Sequence, residues 1–195
     1  RRTTPVSQRQ KNGGVPVSAV AFLDPTHQAT VRPATPARVV VETEPRVWAC
    51  VGIGSNIEPE QNVRRALTEL RRRFGALTIS TIYANPAVGF AGDDFLNLAV
   101  KFATALPVHE LAAQLREIEA RHPARGEATK FTARALDLDL LLYGGLVADS
   151  HGVRVPRPEI TRYAFVLRPL AEIAGDWLHP LLGVALAELW NQFDQ

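Results

Sequence analysis

The chain has 195 residues, and 46% of them are hydrophobic, which is enough for a packed core and excludes a wholly disordered protein. It has one cysteine, so an internal disulfide framework is excluded, and no apolar run approaches the ~18 residues that a membrane-spanning helix needs. Its net charge of +2 is uneven, since residues 1–45 hold six basic and three acidic residues and the remainder holds 16 basic and 17 acidic. The nearly neutral remainder argues against nucleic acid as a partner. The lack of a long apolar run argues against a membrane, and the single cysteine fits a cytoplasmic protein.

Residues 1–45 come first in the chain and carry six of the 14 prolines, without a sustained hydrophobic period. This composition predicts an extended, mostly disordered arm. The first 23 residues are basic and contain no acid, as in organelle-targeting peptides, but they show no amphipathic helix. We therefore expect an arm or linker over residues 1–45, followed by one folded domain over residues 46–195.

From residue 47 onward, strand and helix patterns alternate. They predict strands over residues 47–52, 77–83, 95–104 and 135–143, and helices over residues 62–74 and 107–121. An extended segment over residues 153–158 and helices over residues 162–174 and 184–193 follow. The order β-α-β-β-α-β predicts an α+β, ferredoxin-like core, with an antiparallel sheet that carries two helices on one face. The C-terminal helices would cover the other face or leave part of it as a binding surface.

The predicted strand over residues 135–143 carries two aspartates among leucines. Asp137 and Asp139 are two residues apart, so both face the same side of the strand while the leucines beside them face the other. Two carboxylates so close repel each other unless a cation compensates, and Mg²⁺ commonly takes one or two carboxylates plus substrate phosphates. The leucines that follow indicate a central strand buried on both faces, which favours a metal site over a solvated strand face. Arg134 lies near enough to reach the same phosphates.

A second group of candidates lies in the segment 83–89 and at the start of the strand 95–104. Asn97 offers a hydrogen-bond donor and an acceptor, and Phe95 and Phe165 offer ring faces for stacking on a flat polar ring. The same residues are equally compatible with core or turn positions. This group alone therefore does not identify a site.

A third group consists of basic residues in the loops that flank the aspartate strand, namely Arg125, Lys130, Arg157 and Arg162. Basic loops often close over the phosphates of ATP, although ordinary surface charge explains any single member as well. The chain has no Walker-type Gly-Lys-Ser/Thr loop. Cys50 and the histidines show neither zinc spacing nor a nucleophile pair.

Together these segments resemble 6-hydroxymethyl-7,8-dihydropterin pyrophosphokinase, from residue 47 to about residue 194. The arginine-led aspartate strand and the proline-rich segment after it are the most specific pair, with the Gly-Ser-Asn segment as a third anchor. The resembling stretches are Val51-Gly52-Ile53-Gly54-Ser55-Asn56, Tyr83-Ala84-Asn85-Pro86, Phe95-Leu96-Asn97, residues 134–141, Val155-Pro156-Arg157-Pro158 and residues 164–170.

The resemblance implies transfer of pyrophosphate from ATP to 6-hydroxymethyl-7,8-dihydropterin in folate biosynthesis, with AMP as the other product. It implies that Arg134, Asp137 and Asp139 are catalytic and that the two aspartates hold two Mg²⁺ ions. The ATP contacts that it implies are Glu119, Arg125, Lys130, Arg134, Arg157 and Arg162. The pterin contacts that it implies are Asn85, Pro86, Val88, Phe95, Asn97 and Phe165. It leaves the oligomeric state open.

The loops around the aspartate strand depart from the family pattern. Thr132-Ala133 stand in place of Gly-Pro, Phe131 in place of a tryptophan, and Arg157 in place of a histidine. These departures leave a second hypothesis open, a diverged paralogue that binds a pterin or nucleotide without turnover. A nucleotide cyclase on the same fold is disfavoured, because its metal carboxylates come partly from the first strand, which here carries no acid.

Overall fold

The computed structural model describes residues 45–85, 94–122 and 135–193. Apart from Pro45, the predicted arm lies outside the described residues. The strands are β1 (Val47–Ser55), β2 (Thr78–Ile79), β3 (Tyr83–Asn85), β4 (Phe95–Thr104), β5 (Asp137–Tyr143), β6 (Ala148–Ser150) and β7 (Val153–Val155). The α-helices are α1 (Pro59–Phe74), α2 (Val108–Ala120), α3 (Ala164–Ala174) and α4 (Leu186–Asn191), and a 3₁₀ turn spans Pro158–Thr161.

The main sheet is antiparallel and has the strand order β2-β4-β1-β5, with β3 paired to the other end of β4. The predicted α+β, ferredoxin-like core is confirmed. Its second strand, predicted as one segment over residues 77–83, is split into β2 and β3. The split occurs at buried Ser80, whose hydroxyl oxygen accepts a 2.9 Å hydrogen bond from the Ala99 backbone N–H and so replaces a backbone acceptor.

Strand β5, which carries the two aspartates, lies at the edge of the sheet beside β1. The prediction of a central strand was therefore wrong, although both faces of β5 are covered. Leu138 and Leu140 pack into the core formed with α1 and α2, whereas Leu141 and Leu142 pack into the core formed with α3 and α4. A register shift opposite Cys50 and Val51 explains how two consecutive leucines enter the same core.

The two cores lie on opposite faces of the sheet. The first core includes Phe74 and Phe102, whose rings stack with centroids 4.5 Å apart. The second core lies against Cys50 and Ala99 and is covered by α3 and α4. Among the described residues, these helices cover only part of that face, and a cavity lies beside Asp137.

Several element boundaries differ from the sequence predictions. Helix α1 begins three residues earlier than predicted, at Pro59, because proline is favoured in the first turn of a helix. Of the segment predicted as extended over residues 153–158, residues 153–155 form β7, which pairs with β6 as a hairpin. Helices α3 and α4 are shorter than predicted. No helix within the described ranges is long and apolar enough to cross a membrane.

Candidate active site

A row of three residues crosses the sheet on the face opposite α1 and α2. Gly54 on β1 pairs with Asn97 on β4 and with Asp137 on β5, and Gly52 pairs with Asp139. Directly paired residues share one face of a sheet. The register therefore confirms that both aspartates face the same way, and it brings Asn97 to the same surface.

Gly54 keeps this row open. A side-chain Cβ at this position would lie 3.2 Å from Asn97 Oδ1 and 3.9 Å from both Asp137 Cβ and the Phe95 ring. The sequence predicted that the first strand ends at Gly52, but β1 continues to Ser55 and therefore includes Gly54. Glycine here removes steric bulk between strands, as it often does where a ligand approaches the backbone.

The first cavity lies above this row and has a volume of about 60 Å³. Its lining includes Gly54, Asn97 and, from α3, Phe165 and Pro169, with Asp137 and Asp139 also in its wall. The Asn97 amide Nδ2 donates a hydrogen bond to Asn85 Oδ1, which fixes the orientation of the Asn97 side chain. This cavity offers an oriented amide and an aromatic ring, the groups that bind a flat polar ring.

The second cavity runs along the outer edge of β5 and has a volume of about 270 Å³. Half of its described lining residues are charged, namely Arg116 and Glu119 from α2, Asp137 and Asp139 from β5, Arg154 from β7, and Arg157. Because β5 is an edge strand, its outer backbone faces this cavity, and the Leu138 N–H donates a 2.7 Å hydrogen bond to Glu119 Oε1. Asp137 and Asp139 therefore belong to both cavities.

Two carboxyl groups of the site, those of Asp139 and Glu119, have raised pKa values. Burial, and then the nearby Asp137 charge, raise the pKa of Asp139 to about 6, although the Arg157 guanidinium that donates to Asp139 Oδ1 opposes the rise. Burial also raises the pKa of Glu119 to about 7, against the opposing Leu138 hydrogen bond and with a smaller contribution from both aspartates. Carboxyl groups that resist ionisation in this way would be stabilised as anions by a bound cation.

The donor set of this site fits Mg²⁺. Within the described ranges no three His, Cys, Asp or Glu side chains converge as a complete metal site. Asp137 and Asp139 nevertheless supply hard carboxylate oxygens from adjacent positions on one strand face, beside a cavity lined with cations. Mg²⁺ characteristically binds through one or two carboxylates and completes its coordination with water and substrate phosphates.

The structure brings most of the described candidates to these two cavities. Around the first cavity lie Asn85, Phe95, Asn97 and Phe165; around the second lie Glu119 and Arg157; and both aspartates lie between them. Arg162 is exposed and is not among the described residues that line either cavity. The candidates Pro86, Val88, Arg125, Lys130 and Arg134 lie outside the described residues.

Sequence reasoning missed two cations of the second cavity, Arg116 and Arg154. Arg116 lies three residues before Glu119 on α2, so the helical period places both on one face, and this signal was available in the sequence. Arg154 enters the cavity through the β6–β7 hairpin. Its strands have three residues each, too few to give a recognisable period.

Comparison with protein families gives a match to the model of 7,8-dihydro-6-hydroxymethylpterin-pyrophosphokinase over residues 50–175. The chain is 36% identical over 149 residues to a 2-amino-4-hydroxy-6-hydroxymethyldihydropteridine pyrophosphokinase of Synechocystis, covering 75% of this chain and 76% of that one. It is 31% identical over 140 residues to the Aquifex aeolicus protein of the same name, covering 71% of this chain and 87% of the relative.

Among solved structures, the fold is similar to the Plasmodium falciparum HPPK-DHPS wild type with pterin and p-hydroxybenzoate. The TM-score is 0.59 at 12% sequence identity, covering 78% of this chain. Our chain spans 44% of the length of that solved chain. At this identity the similarity supports the fold alone.

Proposed function

The chain belongs to the 7,8-dihydro-6-hydroxymethylpterin-pyrophosphokinase family, and we propose that its two cavities bind the two substrates of the family reaction. The chain is an ATP-dependent pyrophosphokinase of folate biosynthesis. The pterin would occupy the cavity beside Asn97, and the phosphates of ATP the cavity beside Arg157. Family membership supports this enzyme rather than the paralogue without turnover. We propose a cytoplasmic location for it, which its one cysteine, a free buried thiol at Cys50, supports.

The observation that carries the proposal is the shared position of Asp137 and Asp139. One neighbouring cavity offers an amide and an aromatic ring, and the other offers three arginines. A transfer reaction needs its acceptor and donor on either side of the groups that neutralise the transferred phosphates. Both cavities are lined by Asp137 and Asp139, which is the arrangement that such a reaction needs.

On the acceptor side, the chain binds and orients the pterin. Asn97, held by Asn85, would pair with the polar edge of the ring, while Phe165 and Phe95 would contact its faces. The open backbone at Gly54 would let the ring lie close to the sheet, with its hydroxymethyl group toward the aspartates. Fixing both reactants in this way removes much of the entropic barrier to their reaction.

On the donor side, the chain binds the phosphates of ATP. Arg116, Arg154 and Arg157 would pair with phosphate oxygens, and Glu119 would approach the nucleotide. Two Mg²⁺ ions held by Asp137 and Asp139 would supply neutralisation of the phosphate charge. The pterin hydroxyl oxygen would form a bond to the β-phosphorus as the bond from that phosphorus to the α-phosphate oxygen breaks. AMP would leave with that oxygen, and the hydroxyl proton would pass to solvent. Positioning and charge compensation would account for most of the rate.

The resemblance assigns further contacts to residues outside the described ranges. Arg125, Lys130 and Arg134 are proposed to bind ATP, and Arg134 to take part in catalysis. Pro86 and Val88 are proposed to line the pterin pocket. These assignments rest on the sequence pattern.

The direct test is to incubate the chain with ATP, Mg²⁺ and 6-hydroxymethyl-7,8-dihydropterin and to measure AMP. We expect AMP only when the pterin is present, and a fall of at least about 100-fold in kcat for Asp137→Asn and Asp139→Asn. Asp176→Asn is the matched control, because Asp176 is exposed after α3 and away from the described cavity linings. It should leave the rate unchanged.

Two outcomes would contradict the proposal. Pterin-dependent AMP that persists at the normal rate in both aspartate variants would remove the aspartates from the mechanism. Binding of pterin and ATP without formation of AMP would support the hypothesis of a paralogue without turnover. Omission of Mg²⁺ provides a further check, since AMP formation should then stop.

A further inference from the structure

A single carboxylate, Glu172 on α3, connects that helix to the strand β3 at the rim of the first cavity. Glu172 Oε1 accepts hydrogen bonds from the Thr81 N–H (3.0 Å) and the Thr81 hydroxyl (2.9 Å). Glu172 Oε2 accepts from the Tyr83 hydroxyl (3.0 Å) and lies 3.1 Å from the same Thr81 N–H. One side chain therefore accepts from three donor groups on two residues of the neighbouring segment.

A cation strengthens this connection from the same helix. The Arg168 guanidinium, one helical turn before Glu172, lies 4.6 Å from the centroid of the Tyr83 ring. A guanidinium in this position is attracted to the face of an aromatic ring. Tyr83 is thus held by α3 at both its ring and its hydroxyl. We refer to Thr81, Tyr83, Arg168 and Glu172 as the α3–β3 clamp.

The segment that the clamp holds orients Asn97, which lies in the wall of the first cavity. Tyr83 pairs directly with Asn97, and Asn85, two residues later on β3, accepts the hydrogen bond from the Asn97 amide. A shift of β3 along β4 would move Asn85 away from Asn97. The orientation of the Asn97 amide therefore depends on where β3 lies.

The helix that the clamp holds also contributes residues to the wall of this cavity. Phe165 and Pro169 line the cavity from α3, and Glu172 lies seven and three residues beyond them. Residues three, four and seven apart lie on one side of a helix. The clamp thus connects the strand that orients Asn97 to the helix that carries Phe165, and no clamp residue is among the described residues that line the cavity.

We propose that Glu172 is a positioning residue that sets the geometry of the pterin pocket through Tyr83 and Thr81. This inference rests on the proposed function of the first cavity. Its consequence is selective, because the second cavity is lined from α2, β5 and β7 and by Arg157, none of which belongs to the clamp. Loss of the clamp should weaken pterin binding and leave ATP binding nearly unchanged.

The experiment measures both affinities separately by calorimetry. Pterin is titrated into the chain in the presence of Mg²⁺ and a non-hydrolysable ATP analogue, and the analogue is titrated alone. For Glu172→Ala we expect the pterin Kd to rise about tenfold, since a displacement of roughly an ångström is costly in an oriented site. The Kd of the analogue should change less than about twofold.

Tyr83→Phe is the second, milder variant, because it removes only the hydroxyl that donates to Glu172 and keeps the ring beside Arg168. We expect its pterin Kd to rise about threefold, and the double variant to resemble Glu172→Ala, since coupled residues are not additive. Glu188→Ala is the matched control. Glu188 is an exposed carboxylate on the neighbouring helix α4 that accepts from Gln192 instead.

The outcomes separate the two proposals. Failure of the unaltered chain to bind pterin overturns the proposed function and the inference with it. Normal pterin binding by the unaltered chain and by both clamp variants overturns the inference alone. An equal rise of both Kd values, or a lower melting temperature with unchanged pterin Kd, would make the clamp a general structural brace and would also overturn it.

Discussion

The two cavities that meet at Asp137 and Asp139 are built in different ways. The first is formed by strand register, a missing side chain at Gly54 and the packing of α3, and its specific groups are uncharged. The second lies at the sheet edge, and its specific groups are long charged side chains from a helix, a hairpin and the segment after it. One is therefore defined by backbone geometry and the other by charge.

This difference indicates how each side responds to change. A small cavity with fixed walls, about 60 Å³, is sensitive to the addition of one methyl group. A larger one of about 270 Å³, lined with three arginines that would bind phosphates, is sensitive to loss of charge. Substitutions chosen on each side should thus affect one substrate and spare the other.

Of the substitutions that test this comparison, we expect the largest loss of activity from one in the second, charged cavity. Arg157 pairs with Asp139, is partly buried and stands where the resemblance expects a histidine. Its removal takes one positive charge from the phosphate cavity and leaves Asp139 without this counter-ion. We predict that Arg157→Gln lowers kcat/KM for ATP about 30-fold or more, with the pterin Kd unchanged. Steady-state AMP formation measures this.

Arg162→Gln is the matched control for Arg157→Gln. The resemblance assigns both arginines to ATP, but Arg162 is exposed and is not among the described residues lining the second cavity. We expect its kcat/KM to stay within about threefold of the unaltered chain, as for an exposed charge. Equal losses in the two variants would show that the cavity geometry misrepresents the ATP site.

We expect a smaller effect from a substitution in the first cavity, whose specific groups are uncharged. In Gly54→Ala the new methyl group would lie 3.2 Å from Asn97 Oδ1, and Asn97 cannot turn away without losing its bond to Asn85. We predict that the pterin Kd rises about tenfold while ATP binding is unaffected. Calorimetric titration of each substrate measures this separately.

Gly145→Ala is the control, because a Cβ at Gly145 would meet no atom within 4 Å and the residue lies in the turn after β5. It should bind both substrates normally. If Gly54→Ala binds the pterin as tightly as the unaltered chain, the row Asn97–Gly54–Asp137 does not form the floor of the pterin pocket.

The first cavity was the more predictable from sequence. Alternation along β5 placed both aspartates on one face, and β4 was predicted with its observed bounds, Phe95–Thr104. The register between strands was not available, because strand pairing over long sequence separations leaves no local signal. The role of Gly54 therefore became evident only when its partners Asn97 and Asp137 were known.

The second cavity was harder to predict because it lies at the edge of the sheet. The run of leucines after Asp139 is equally typical of a central strand and of an edge strand covered on both faces. The bulge that divides these leucines between two cores leaves no signal in the local sequence. Arg116 was overlooked although it shares a helix face with Glu119. Arg162 was chosen because it adjoins recognisable residues, and adjacency in sequence did not bring it to the cavity.

The smallest effect that we predict concerns stability without metal or substrate. The pKa of Glu119 is raised to about 7 in the folded chain, mainly by burial, from its ordinary value near 4.5. Between these two pH values the folded state holds a proton that the unfolded state has released, so the stability that Glu119 contributes falls as the pH rises through this window. Glu119→Gln keeps an acceptor for the Leu138 N–H and removes the titration.

We therefore predict that Glu119→Gln has the same free energy of unfolding as the unaltered chain at pH 4 and is about 1 kcal/mol more stable at pH 7.5, a value reduced for solvent screening. Urea unfolding in the presence of a chelator measures this. Glu117→Gln is the control, since Glu117 is an exposed carboxylate on the same helix that pairs with Arg73. A gain for Glu119→Gln at pH 4 as large as at pH 7.5 would contradict the prediction, because it would trace the change to packing. A gain at pH 7.5 that Mg²⁺ and ATP reverse would instead connect this carboxylate to the charged cavity, where bound cations stabilise its anion.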